Sequence, residues 1–475
     1  MLRVVAKYAT IYPQNLKGVF YSDMIIRSAS KERTEPLRRQ LMRLTTPIFI
    51  EIALVVLVGF VDMLMLSSCG DGAVAAVGLA SQMVTLVFLV YRFAASGVAV
   101  VCAQYHGAGL RKRLVQVVGV ALVFNALLGF VVSALLYFNA EAILRMMGLR
   151  EGLMAEGAAY LRITGAFSFF QAIGFTFSSS LRSVDRVRSP MVATAVANIV
   201  NVVGNYFLIY GHCGCPALGV VGAAWATAAS QCVSMAILMV HHTRVHIRRY
   251  PRVWFRPFPW REFAGIFRIG LPAIGEELSY CLSQAVTIYF INQISTEALT
   301  TRTYVANSVM FTYLFGMSAI QAGDILVGHL VGQRRYRAAY LLGNFFYRRA
   351  LAVTLCCSGV LALVGPSVLR LLTQNAEIIR MGTVLFWIDC VLEIGRVRNI
   401  FACGTLRAAG DVLYPMVIGV SFQWVVAVGV FWVFAIPMGF GLVGAWCAFL
   451  LDENLRGCIL IRRWHAKAWI GKSLA

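Results

Sequence analysis

Residues 181–190 read LRSVDRVRSP, and residues 406–415 read LRAAGDVLYP. The Leu-Arg pair and the closing proline recur at an offset of 225 residues. Working outward, the same offset joins Pro47 to Pro272, Glu51 to Glu276, Gly107 to Gly332, and Ile143-Leu144-Arg145 to Val368-Leu369-Arg370. Toward the ends of the halves it slips to 222, where Gly219-Val-Val-Gly222-Ala answers Gly441-Leu-Val-Gly444-Ala. Solenoid repeats have periods of about 20–50 residues. A period this long marks a whole duplicated domain.

Composition says where such a domain lives. Of 475 residues, 59% are hydrophobic and 13% charged, and the mean hydropathy is +0.74. Soluble domains carry about 25% charged residues. Twelve apolar runs, from 44–66 to 441–461, are visible along the chain. Each is close to the ~20 residues with which a helix crosses a bilayer. The runs are continuous rather than alternating, which favours helices over barrel strands. The expected fold is therefore all-α and integral to the membrane, with twelve transmembrane helices. Six spans per half leave both halves in the same orientation, as two parallel six-helix bundles with a central cleft.

Net charge is +21, and its placement orients the chain. Nine Lys/Arg fall in residues 1–43, three in each of the turns 105–113, 181–189 and 332–338, and six in 241–262. The alternate turns hold only Arg145, Arg150, Arg302, Arg370 and Arg380. Positive-inside bias then puts both termini in the cytoplasm. It also accounts for most of the charge without a nucleic-acid partner. The expected layout is a cytoplasmic arm 1–43, a bundle 44–240, a basic linker 241–262, a second bundle 263–461 and a cytoplasmic tail 462–475. The setting is the cell (inner) membrane, and a monomer is expected. Residues 1–35 lack the short apolar core of a secretory signal.

Neither a cofactor nor a metal is expected. Cys213-Gly-Cys215 beside His212 is an incomplete ligand set. Gly471-Lys472-Ser473 resembles the end of a phosphate-binding loop, but Ala466 stands where its first glycine belongs. With no energy-coupling domain in view, any transport is expected to be driven by an ion gradient.

Ionisable residues inside spans are costly and therefore functional candidates. Glu51 and Asp62 are eleven residues apart in the first span and share a helix face. Asp62, near the middle to outer half of the helix, is the leading candidate to take up and release a proton. Its structural alternative is an ion pair with Arg92 or Arg162. Asn198, Asn201 and Asn205 line one face of the fifth span. They could cradle a cation or a protonated acid, or bond helices together. Glu276 and Glu277 lie in the seventh span. Asp389, Glu393 and Arg396 share a face of the tenth, for structure, ion coupling or substrate. Asp324 suits gating or capping, and Asp452 and Glu453 have no specific reading.

These motifs, in order and in both halves, resemble the multidrug and toxic compound extrusion (MATE) transporters. The carriers are Thr45-Thr-Pro47 through Gly59-Phe-Val-Asp62, Ala103-Gln104-Tyr-His-Gly107-Ala-Gly109, Val327-Gly328-His-Leu-Val-Gly332-Gln, and Leu406-Arg-Ala-Ala-Gly410-Asp411 to Pro415. The resemblance spans residues 40–465. It implies a V-shaped cleft and export of organic cations or amphiphiles against H⁺ or Na⁺. It places the family's first-helix acid on Asp62. The fifth-span positions fall on Asn201 and Asn205, where some members have an acid at the second. Glu277 lies one turn before the usual seventh-span acid. Arg396 takes the place of the tenth-span acid, with Glu393 one turn earlier. Asp185 and Arg186 stand where Gly and Asp are usual.

The reading this supports is a secondary antiporter exporting cationic or amphipathic compounds. Ion-coupling candidates are Asp62, Glu51, Asn201, Asn205, Glu277, Asp389 and Glu393. Substrate-binding candidates are Asn198, Glu276 and Arg396. The partners implied are a small-molecule substrate, H⁺ or Na⁺, and the lipid bilayer. The alternative is a flippase for a lipid-linked precursor, which needs a cationic cleft. An enzyme is not expected, since no catalytic constellation falls in a span.

Overall fold

The computed structural model describes residues 14–475, with side chains from residue 37. The expected arm thus lies outside the described residues as far as residue 13. Among the described residues the secondary structure is helical throughout. Helix α1 (Gln14–Ser67) is followed by α2 (Asp71–Gly107), α3 (Arg111–Met146), α4 (Met154–Ala166), α5 (Ser168–Arg182), α6 (Arg188–Tyr210) and α7 (Val220–His241). After the basic linker come α8 (Trp260–Ile294), α9 (Thr296–Gly332), α10 (Tyr336–Leu372) and α11 (Ala376–Ala408). The chain closes with α12 (Leu413–Phe422), α13 (Phe431–Ala435) and α14 (Gly441–His465).

Among the described residues, eight stretches are long and apolar enough to cross a membrane: residues 37–67 of α1, then α2, α3, α6, α7 with its extension, α9, α10, and α12 with α13. The other four expected runs fall on α4–α5, α8, α11 and α14. The first of these is cut in two. The rest carry their charges in mid-helix: Glu276 and Glu277 in α8, Asp389, Glu393 and Arg396 in α11, and Asp452, Glu453 and Arg456 in α14. The helices with the weakest membrane signal are thus the ones that bring most of the candidate side chains.

Two local irregularities have identifiable causes. Phe167 leaves helical geometry between α4 and α5. The backbone N–H of Phe169 then donates to Ser133 Oγ at 3.1 Å, and Ser168 Oγ lies 2.9 Å from both Ser133 Oγ and Tyr91 Oη. Side chains thus take the hydrogen bonds that a helix break frees. Between α12 and α13 the helix widens over Gln423–Val430, a one-residue-wider turn of the kind found at functional sites.

The halves meet through repeat-related helices. Helix α9 packs on α1 and α2, and α8 packs on α2. At the ends of α2 and α9, Gly107 lies against the backbone of His329, and Gly332 against the backbone of Gln104. Only hydrogen fits at either position. Gln104 Nε2 donates to Ala408 O at 2.8 Å, and His329 Nε2 lies 2.7 Å from Ser183 O. These two bonds are mates under the 225-residue offset. The spare acceptor of Gln104 is taken by the end of the chain: Ser473 Oγ donates to it at 3.1 Å and Leu474 N at 2.8 Å, while Lys472 Nζ holds Asp411 at 2.7 Å. Substituting Gly332→Val is expected to wedge this seam apart and lower the melting temperature by several degrees, which thermal unfolding in detergent checks.

Candidate functional site

The first cluster joins α1 to α6. Asn205 Nδ2 donates to Asp62 Oδ1 at 2.7 Å and lies 3.4 Å from Asn201 Oδ1. Asn201 Nδ2 faces Thr227 Oγ1 at 3.5 Å. The three-and-four spacing in α6 puts the amides on one stripe, and packing against α1 brings Asn205 to the acid, with Asn201 behind it. Asn198 does something else: its Nδ2 donates to the Leu54 carbonyl at 2.7 Å, bonding helix to helix. Neither arginine proposed as a partner for Asp62 reaches it. Arg92 pairs with Glu277 at 2.8 Å, and Arg162 with Glu141 at 2.7 Å. Among the described residues Asp62 is left with an amide as its partner and no cation. The side-chain oxygen of Asn205 is buried and unbonded, so an acceptor stands beside the carboxylate.

The repeat-related acids are clasped. Arg182 binds Glu51 at 2.5 Å, and Arg407 binds Glu276 at 2.5 Å. Both pairs obey the 225-residue offset, acid for acid and arginine for arginine. This is one structural ion pair used twice. Glu51 and Glu276 therefore have fixed charge partners, which Asp62 lacks among the described residues.

The second cluster surrounds a cavity of about 450 Å³ between α8, α9, α11, α12–α13 and α14. Its wall includes Glu276, Glu277, Asp389, Arg396, Arg407, Asp452, Glu453 and Arg456, with Tyr280, Tyr313, Trp446 and Phe449 supplying aromatic faces. Arg396 pairs with both Asp389 (3.7 Å) and Glu393. Arg456 pairs with both Asp452 (2.9 Å) and Glu453 (3.0 Å). Asn399 Nδ2 adds a bond to Glu453 Oε2 at 2.9 Å. Each triad holds two carboxylates against one guanidinium. Asp389, Glu393 and Asp452 are almost wholly buried. Such a wall is electronegative and suits a cationic or hydrogen-bonding guest.

Sequence reasoning brought Asp389, Glu393 and Arg396 together correctly but gave the Asp452–Glu453 pair no role. The signal was there: Arg456 stands three and four residues beyond them, on the same helix face. Arg302, counted from sequence among the outer turns, also lines this cavity. Asp324 lines a smaller cavity of about 250 Å³ between the halves, with Arg182 and Arg407. Among the described residues no group of three or more His, Cys, Asp or Glu forms a metal site.

A polar chamber inside a duplicated bundle of apolar helices defines a membrane transporter. The family model MatE matches residues 47–207 and again 272–433, once per repeat. The chain belongs to the multidrug and toxic compound extrusion (MATE) family of transporters. It is 34% identical to a Bacillus subtilis (strain 168) protein named "Uncharacterized transporter YisQ", over 92% of this chain and 96% of that one. It is 23% identical to "Multidrug resistance protein NorM" of Vibrio cholerae, over 91% of this chain and 95% of that one. Its fold is that of a solved outward-facing conformation of a multidrug resistance MATE family transporter. The TM-score is 0.81 at 20% identity, covering 90% of this chain and 95% of that one. A MATE crystal structure in the bent conformation scores the same, at 19% identity, with 92% and 97% covered.

Proposed function

We propose that this protein is a secondary antiporter that exports cationic or amphipathic organic compounds in exchange for H⁺ or Na⁺. In this reading the chain crosses the cell (inner) membrane twelve times, as parallel bundles 44–240 and 263–461, and works as a monomer by alternating access. Both ends and the linker 241–262 face the cytoplasm. The observation that carries the reading is Asp62. Among the described residues it is the one acid of the coupling candidates whose partner is an amide rather than an arginine. A carboxylate held by an amide can exchange its ion without breaking a salt bridge. Asn205 supplies a neutral oxygen beside it, and Asn201 backs Asn205. Glu393, Asp389 and Glu277 shape the second chamber and draw a cationic guest toward it.

Coupling follows from differential affinity: the ion favours one state and the substrate the other. The electronegative triads support a cationic substrate. The flippase reading is less well supported, because Arg92, Arg162 and Arg396 each face an acid rather than standing free for a pyrophosphate. The test is transport of a fluorescent cation in proteoliposomes under an imposed pH or sodium gradient. Export under one gradient and not the other supports antiport and names the ion. Indifference to both would overturn it.

A further inference from the structure

The charges around the larger cavity balance in a specific way. Four arginines line it, and three of them have carboxylate partners: Arg396 with Asp389 and Glu393, Arg407 with Glu276, Arg456 with Asp452 and Glu453. The fourth, Arg302, does not. Its Nη2 donates to the neutral Gln284 Oε1 at 3.0 Å, and no acid lies within ion-pair distance of it among the described residues. A guanidinium has five N–H donors in a planar fork suited to a carboxylate. One amide oxygen leaves most of that fork unused, in a half-buried position facing the chamber.

Position along the helices separates Arg302 from the negative groups. It stands six residues beyond the start of α9, and Asp389 thirteen beyond the start of α11, which enters from the same end. At 1.5 Å per residue these are depths of about 9 Å and about 20 Å, roughly 10 Å apart. The chamber is therefore bipolar, with a free guanidinium toward one end and acid-rich triads deeper in.

Resting on the antiport reading, we propose that Arg302 binds an acidic group of the transported compound, so that the chamber selects amphipathic zwitterions over simple cations. The carboxylate of the guest would take the open fork of Arg302. Its amine would lie toward the triads, and its rings against Tyr280 and Trp446. An ordinary cation satisfies the triads but leaves Arg302 uncompensated. A simple anion meets the excess of acids.

The test uses the free acid and the methyl ester of one rhodamine dye, which differ only in the carboxylate. Both are assayed in proteoliposomes for gradient-driven export and in detergent for binding by fluorescence polarisation. The wild type is expected to favour the free acid by about tenfold in KM and Kd, the worth of one charge-assisted pair. Arg302→Gln should bring that ratio close to one, and Arg302→Lys should restore part of it. Equal handling of acid and ester by the wild type, or a ratio unmoved by Arg302→Gln, overturns the proposal. Preferential binding of the acid without gradient-driven export would uphold the site while sinking antiport.

Discussion

Asp62→Asn is expected to bring gradient-driven export to background while leaving the protein folded. The asparagine keeps the carboxylate's shape and an acceptor for Asn205 Nδ2, which now donates to Asp62 Oδ1 at 2.7 Å. No salt bridge is lost, so stability should barely move. What disappears is the ability to carry a charge that changes with ion occupancy. A state equilibrium responds to a ligand only through its differential affinity. Without the acid, the ion gradient has nothing to push on in this half. Glu51→Gln makes the control, because it strips Arg182 of its carboxylate and should cost stability as well. Proteoliposome efflux beside thermal unfolding in detergent separates the two effects. Full export by Asp62→Asn would remove Asp62 from the mechanism and throw attention onto the other half.

Arg456→Leu is expected to be among the most damaging substitutions in the molecule. Arg456 is 3% exposed and serves two carboxylates at once, Asp452 and Glu453. Removing one partner of a buried ion pair costs about 3–5 kcal/mol, because the charge left behind has no compensation. Here two are left behind. The triple variant Arg456→Leu, Asp452→Asn, Glu453→Gln should recover most of the loss, since it removes the stranded charges along with their partner. Thermal unfolding of the three proteins decides the matter. A single variant as stable as the wild type would mean that water already reaches the triad.

Much of the fold was legible because duplication leaves a record at fixed spacing. The Glu51–Arg182 and Glu276–Arg407 clasps could be read as matched positions long before they could be read as contacts. What sequence could not supply was which acid meets which base. Arg92 was available to Asp62 on paper, yet it reaches across to Glu277 in the other half. Helical spacing fixes neighbours within a helix, as it did for Asp389, Glu393 and Arg396. Partners on different helices depend on rotation about each axis, which an apolar run does not encode. Arg302 was misplaced for a related reason. A count of charges by turn treats the first residues of a helix as loop, whereas α9 begins at Thr296 and turns Arg302 inward. The asymmetry of the two halves was also visible in outline. Asp62 has Thr287 as its repeat mate, and Glu393 has Ser168, which in the structure seals the break between α4 and α5.

The bond between Gln104 and the segment ending at Ala475 gives the molecule a built-in reporter. Gln104 sits in one repeat, while Ser473 and Leu474 are carried by the last helix of the other. Any movement that parts the ends of α2 and α9 has to draw that segment off its amide and uncover Leu474. Leu474 is half-buried at rest, so a cysteine at 474, in a background cleared of exposed native thiols, would react slowly with a thiol reagent at rest and faster whenever the segment lifts. Its labelling rate would then rise with conformational cycling, with or without a known cargo.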